Sequence, residues 1–352
     1  MALPSPPASI CLLRLSALGD VTHVVPLVRT LQAAWPHTRL SWIIGKLEHR
    51  LLGDLPGVEF IVFDKGSGLR GAAALRAALR GHRFDALLLL QVALRANLLS
   101  LLVPAGRRIG YDRARARDGH GLFVRERIPA RTGQHVLDAI GSFAEPLGLR
   151  QQQVRWDIPI PGDAREFAAA QLPGEQPTLL LSPCASHALR NWRPERYAAL
   201  ADHAVAAHGF RVLLCGGRSE AERRMADAIL GRMRQPAQDL VGKDTLKQLL
   251  ALLERATLVV TPDSGPMHMA NAVGTPVLGL HAASNPHRSG PYSDRRWCVD
   301  RYDAAARRFR GKPAAELPWG TKIEEPGVMD LVTIDDAVEA FERFVAHRNA
   351  SA

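Results

Sequence analysis

The chain has 352 residues, 47% hydrophobic and 23% charged, with a net charge of +10. That length suits two domains of about 150 residues each, and the composition is that of a globular protein. Cys11, Cys184, Cys215 and Cys298 are scattered with no C-x-x-C, which excludes a zinc site or a disulfide framework and points to reduced core thiols in a cytosolic chain. The basic excess is mostly Arg, partly a compositional bias. It points to an anionic partner: nucleic acid, phosphorylated lipid or an acidic membrane face.

Residues 1–9, MALPSPPAS, lack a basic n-region and an apolar h-region, so no export signal is expected there. Residues 9–15, SICLLRL, read as a first strand, Ser16 to Asp20 as a tight loop, and 21–35 as a helix. Strands are expected again at 40–44, 59–63, 86–91 and 108–110, with helices between them such as 69–79. The most apolar stretch, 86–104, is broken by Gln91, Arg95 and Asn97. It fits a strand and a helix better than a membrane span, so any membrane contact is expected to be peripheral. The first loop holds one glycine, so the G-x-G-x-x-G dinucleotide fingerprint is absent.

Residues 155–177 are rich in Pro, Gly and polar residues and mark the expected domain boundary. A second series of strands follows at 178–182, 211–215, 258–261 and 276–280, separated by helices such as 194–207 and 220–233. Residues 299–332 look irregular, and 334–347 read as a final helix. No strict short repeat is visible. Apolar strands alternating with helices predict parallel sheets covered on both faces, hence two doubly wound α/β domains.

The most informative stretch is 261–281, TPDSGPMHMANAVGTPVLGLH. An apolar strand ends in a polar turn, Pro266 suits a first helical position, and Gly274 stops the short helix. The helix N-terminus then leaves the strand's carboxyl end, where free N–H groups and the dipole suit an anion. Asp263 could take ribose hydroxyls, and Ser264, Gly265 and His268 could face a diphosphate. Alternatively, Asp263 and Ser264 only cap the helix and His268 is a surface histidine. Asp20 occupies the corresponding place after the first strand, where open parallel sheets bind ligands. It either caps a helix or takes a proton from an acceptor hydroxyl. Nearby His23 is a weaker candidate base.

Two further strand ends carry candidates. After 178–182, Arg190 is either a phosphate contact or a solvated cation. After 211–215, Gly216 and Gly217 allow close approach of a ligand, and Glu220 and Glu222 open a helix. The basic run 107–131 has too few aromatics for the stacking rhythm of a single-strand nucleic-acid binder. Arg70, Arg76 and Arg80 share one side of a helix and either face phosphorylated lipid or solvent. No H-x-x-x-H or D-x-D is present, so no metal or other cofactor is expected.

TPDSGPMHMANAVGTPVLGLHAASNPHRSGPY resembles the C-terminal signature of glycosyltransferase family 9, the lipopolysaccharide heptosyltransferases. The ordered D-S/T-G-x-x-H, A-x-x-G-T-P-V-x-G-L and G-P-Y elements carry the resemblance, which runs from about residue 10 to 345. It implies a GT-B fold: two Rossmann-like domains facing a central cleft. These would be an acceptor domain over 1–160, a nucleotide-sugar domain over 161–333, and a helix over 334–352 crossing back to the first. It implies an inverting, metal-independent transfer of heptose from ADP-L-glycero-D-manno-heptose to the Kdo/heptose region of lipid A core. The place would be the cytoplasmic face of the inner membrane, with no nucleic-acid partner.

In the resemblance, the S-x-L-G-D loop makes Asp20 the general base. Ser186 matches one of two hydroxyl positions on the phosphates, whereas Ala185 replaces the other and Arg190 stands where a Lys would be. Trp192-Arg193-Pro194-Glu195 has an inserted Arg relative to some members. Glu220 matches a ribose-holding acid, and residues 241–246, which include Asp244, match a segment against the adenine. Arg117, within Ala116-Arg117-Asp118, is the best match for an acceptor contact, with Arg113, Arg115 and Arg70 weaker; Gln134-His135-Val136 also recurs in the family. A relative using another nucleotide sugar, such as a UDP-hexosamine, and a non-catalytic basic module for nucleic acid are the alternatives.

Overall fold

The computed structural model describes residues 6–150 and 154–351. Residues 1–5, part of the stretch on which the export reading rests, lie outside the described residues. The chain divides into two compact units, Met1–Pro159 and Ile160–Ala352.

Unit 1 holds β1 (Ser9–Leu13), β2 (Arg39–Gly45), β3 (Val58–Phe63), β4 (Phe84–Leu89), β5 (Ala105–Gly110) and β6 (Glu126–Arg127). They form one six-stranded sheet in the order β3-β2-β1-β4-β5-β6, every pair parallel. All five residues of β1 are buried, because the helices that return the chain between parallel strands cover both faces. Those helices are α1 (Leu18–Ala34), α2 (Lys46–Leu52), α3 (Gly68–Ala78), α4 (Leu94–Ser100) and α5 (Val136–Gly141).

Unit 2 holds β7 (Thr178–Leu181), β8 (Arg211–Leu214), β9 (Gln238–Asp239), β10 (Leu258–Pro262), β11 (Val277–His281) and β12 (Val299–Asp300). Its parallel sheet runs β12-β11-β10-β7-β8-β9, the same order as in unit 1 when counted from its own first strand. Its helices are α6 (Gly162–Gln171), α7 (Pro194–His208), α8 (Glu220–Leu230), α9 (Leu246–Arg255), α10 (Gly265–Ala272), α11 (Pro286–Ser289), α12 (Tyr302–Arg310) and α13 (Ile334–Ser351). Local sequence sets their ends. Pro194 opens α7 and Gly209 closes it in the left-handed region at φ 64°. Thr245 and Gln248 form a reciprocal capping box at α9.

The structure departs from the sequence reading at two places. The edge strands β6, β9 and β12 have two residues each, too few to show an alternating pattern. The stretch 299–332, read as irregular, contains α12, whose buried residues are only Tyr302, Ala305 and Ala306. The final helix buries Ala337, Ala340, Phe341, Phe344 and Val345 in the core of unit 2. Among the described residues no helix is long and apolar enough to cross a membrane. The four cysteines are free, and burial pushes the Cys184 thiol up to about 11 and Cys298 to about 12.

Candidate functional site

In unit 2 the strand order reverses between β10 and β7. Such reversals open a crevice at the strands' carboxyl ends. Asp263 and Ser264 leave β10 there, and the loop with Ser186 and Arg190 leaves β7. Asp263 is buried. The Ser289 hydroxyl donates to its Oδ2 at 3.3 Å, Lys322 Nζ lies 3.6 Å from Oδ2, and His268 Nε2 lies 3.8 Å from Oδ1. At that distance the histidine acts as an electrostatic neighbour rather than a hydrogen-bond donor. Burial would raise the Asp263 carboxyl, but His268, Lys322 and His281 outweigh it and hold the group well below the usual carboxylate range. Burial lowers Lys322, against the pull of Asp263, and the charges of Arg190 and Arg288 lower it further.

Ser264 immediately precedes α10, but its hydroxyl pairs with Thr261 Oγ1 at 2.7 Å and does not cap the helix. Gly265 is the first helical residue, and His268 sits buried in the first turn. The first-turn N–H groups and the neighbouring cations therefore favour an anion. Arg190 is not a solvated cation: its Nε and Nη2 donate to Glu324 Oε1 at 2.7 and 2.5 Å. His187 Nε2 lies 3.7 Å from the other Glu324 oxygen. Ser186 is exposed in the same loop, which Asn191 Oδ1 pins by accepting from Ala185 N at 2.7 Å. Arg190 and Arg288 thus lie close enough to Lys322 to act on it, beside the carboxylates of Asp263 and Glu324.

The next strand end, after β8, separates the two acids of α8. Glu222 folds back, accepting from Gly217 N at 2.7 Å and Ser219 Oγ at 2.6 Å. Glu220 is 91% exposed and pairs with Arg224 on its own helix, so the structure does not bring it to the other donor residues. Asp244 lies beside this turn, and its Oδ2 is buried without a hydrogen-bond partner among the described residues. Burial raises its pKa to about 6, against a backbone hydrogen bond and Arg218, while Glu222 adds to the rise.

In unit 1 the loop after β1 sets Asp20 in the first turn of α1. Its Oδ2 accepts from Ala17 N at 3.1 Å and pairs with Arg14 Nη2 at 2.5 Å. Arg14 is braced by donating to Ser16 O at 2.8 Å and to Leu90 O. His23 is buried, edge to face with His135 at 5.5 Å, and His135 accepts from Leu137 N as the cap of α5. Arg115 pairs with Asp112 and donates to Arg131 O at 2.7 Å, so it ties the loop together. Arg70, Arg113 and Arg117 are exposed.

Sequence reasoning passed over Arg14, Lys322 and Glu324. Arg14 lay inside an expected strand, and Lys322 and Glu324 inside a stretch read as irregular, where no spacing rule links them to Asp263 or Arg190. It also passed over the convergence of His203 and His208 of α7 on Glu342 of α13, at 2.5 and 2.7 Å from one carboxylate oxygen. Among the described residues this is the group of side chains that could hold a metal ion, and it contains no candidate site residue.

The profile of "Glycosyltransferase family 9 (heptosyltransferase)" matches residues 72–319. The lipopolysaccharide core heptosyltransferase OpsX of Haemophilus influenzae is 38% identical over 332 residues, 94% of this chain and 95% of that relative. Among solved structures, a family 9 glycosyl transferase from Veillonella parvula superposes with a TM-score of 0.78 at 22% identity, covering 97% of each chain. The E. coli heptosyltransferase WaaC with ADP gives 0.73 at 19% identity, covering 96% of this chain and 99% of that one. The fold is thus the two-domain Rossmann-like GT-B fold, and the chain belongs to glycosyltransferase family 9, the heptosyltransferase family.

Proposed function

We propose that this enzyme transfers heptose from ADP-L-glycero-D-manno-heptose to the Kdo/heptose inner core of lipopolysaccharide, with inversion and without a metal. It would work at the cytoplasmic face of the inner membrane, with no nucleic-acid partner. The single observation that carries the donor assignment is the cationic surround of buried Asp263 at the switch point of unit 2. The kinship with a lipopolysaccharide core heptosyltransferase supports the sugar and the acceptor class.

In this reading Asp20 takes the proton of the acceptor hydroxyl as that oxygen bonds to the heptose anomeric carbon. The bond from that carbon to the diphosphate breaks, and its electron pair stays on the leaving ADP. Arg190, Lys322, His268 and the N–H groups opening α10, with Gly265 and Ser264, meet the charge that develops there. Asp263 takes ribose or sugar hydroxyls, Ser186 a phosphate oxygen, and Asp244 and Glu222 line the nucleoside side. Glu220 would join them only through a turn of its side chain away from Arg224. Arg117, Arg113 and Arg70 face the carboxylates and phosphates of the acceptor.

Titration with ADP and with UDP tests the donor site. His268→Ala, Arg190→Ala and Lys322→Ala are each expected to weaken ADP by about ten- to hundred-fold, the worth of one charged contact. Arg117→Ala is expected to leave ADP binding intact and to raise the KM for the acceptor. Tighter binding of UDP than ADP would move the donor to a uridine sugar. Equal loss of ADP affinity in Arg117→Ala and Arg190→Ala would overturn the division of ligands between the units.

A further inference from the structure

We infer that unit 1 carries a docking face for an anionic lipid surface, built on the leucines of α4 and the arginines around them. The inference rests on the acceptor reading above for its biological sense, but not for its geometry. α4 is amphipathic in an unusual way. Ala96, Asn97, Leu99 and Ser100 are buried, while Leu94, Leu98 and the adjoining Leu101 are 52%, 51% and 60% exposed. Their spacing of four and then three residues puts them on one side of the helix. Leu69 at the start of α3 is 90% exposed and Leu122 is 88% exposed. Single exposed leucines are ordinary, but a local group of them marks an interaction surface.

Hydrogen bonds draw these leucines together. Arg95 Nη1 donates to Lys65 O at 3.1 Å, which ties α4 to the turn that leads into α3 and Leu69. Asp118 Oδ2 accepts from Leu94 N at 3.1 Å, and Asp118 O accepts from Asn97 Nδ2 at 3.1 Å. His120 completes the clip. Its Nδ1 lies 2.8 Å from Asn97 Oδ1, and its Nε2 accepts from Tyr111 N at 3.0 Å. The loop that carries Leu122 is thereby fastened to α4. Residues 116–122 and Arg127 line an open concavity of about 480 Å³ beside it.

Charge decides what covers this face. Arg70, Arg76, Arg80, Arg113 and Arg117 are exposed, and their guanidiniums make no ion pair or hydrogen bond among the described residues. Some arginines of unit 1 are matched to carboxylates, as in Arg107 with Glu126, Arg115 with Asp112 and Arg131 with Glu145, and these are not available to a partner. Unmatched guanidiniums around exposed leucines suit a boundary of phosphates above acyl chains. The leucines enter the boundary and the guanidiniums fork onto phosphate oxygens. α4 has seven residues, so it can lie in that boundary but not cross it.

The test pairs Leu98→Glu with Leu101→Glu in the full chain, with Leu98→Ser and Leu101→Ser as the milder pair should the first lower the melting temperature. Co-sedimentation uses vesicles of mixed phosphatidylglycerol and phosphatidylcholine, and of phosphatidylcholine alone. The parent is expected to bind the anionic vesicles, less so at high salt, and the variant to bind them about ten-fold more weakly or worse. Transfer to a deacylated, water-soluble acceptor should be unchanged in the variant, while transfer to a vesicle-embedded acceptor falls. A parent that ignores anionic vesicles, or a variant that binds them equally, overturns the docking face. So does self-association of the parent that the variant abolishes, which would give the face to a second copy. Vesicle binding with no transfer to either acceptor would instead sink the catalytic reading and leave the docking face standing.

Discussion

Asp20 Oδ2 accepts the Ala17 N–H and pairs with Arg14, so the cap and the base are not competing readings of this carboxylate. The cap fixes its backbone, and Arg14 fixes its side chain at the end of β1. Asp20→Ala is expected to keep ADP affinity and to lose about 10²–10⁴-fold in turnover. Turnover within a few-fold of the parent would reduce Asp20 to a cap. Asp244 offers a test by pH. Its pKa lies at about 6 instead of the ordinary 3.8, mainly through burial. A carboxyl that holds its proton more tightly when folded costs nothing in acid, and costs stability as pH rises through the interval between its unfolded and folded values. Asp244→Asn is therefore expected to stabilise the protein by about 1–3 kcal/mol near pH 8 and by nothing near pH 4. Melting curves at the two pH values check it, and an equal gain at both would place its origin elsewhere.

Helix α13 is held by what it buries. Phe341 is fully buried, with ring centroids 5.2 Å from Phe210 and 5.6 Å from His208. Phe341→Ala is expected to cost about 3–5 kcal/mol, read by denaturant unfolding. A loss under about 1 kcal/mol would mean that α13 adds little to the core. The long elements were legible for the same reason that they are stable. β1 and β10 are buried along their whole length and write themselves as unbroken apolar runs. α12 was not legible, because its sequence YDAAARRFR is dominated by charged residues and its buried face is small. α10 was legible as a short helix through Pro266 and Gly274. Lys322 and Glu324 were not legible as its neighbours, because only the folded chain carries that loop to Asp263 and Arg190.

At the scale of the whole chain, two sheets of one strand order each place a candidate loop at the reversal point, Asp20 in one and Asp263 in the other. Alternating strands and helices specify that order only up to the choice of edges, so the parallel class was readable and the exact order was not. The His203–His208–Glu342 group shares no residue with either site. Activity is therefore expected to survive treatment with EDTA. Full loss on chelation, restored by magnesium or manganese, would mean that a metal joins the leaving diphosphate.

Glu324 has a bearing on how fast the cycle can turn. Arg190 has a carboxylate partner in the structure, so in the proposed reading an incoming phosphate must displace or share that partner. On that reading donor affinity is expected to be lower than the bare count of cations suggests. The same carboxylate would then reclaim Arg190 when the spent nucleotide leaves, and Glu324→Gln is expected to lengthen the time the product stays. A site that grips less strongly at rest is thus one that empties readily.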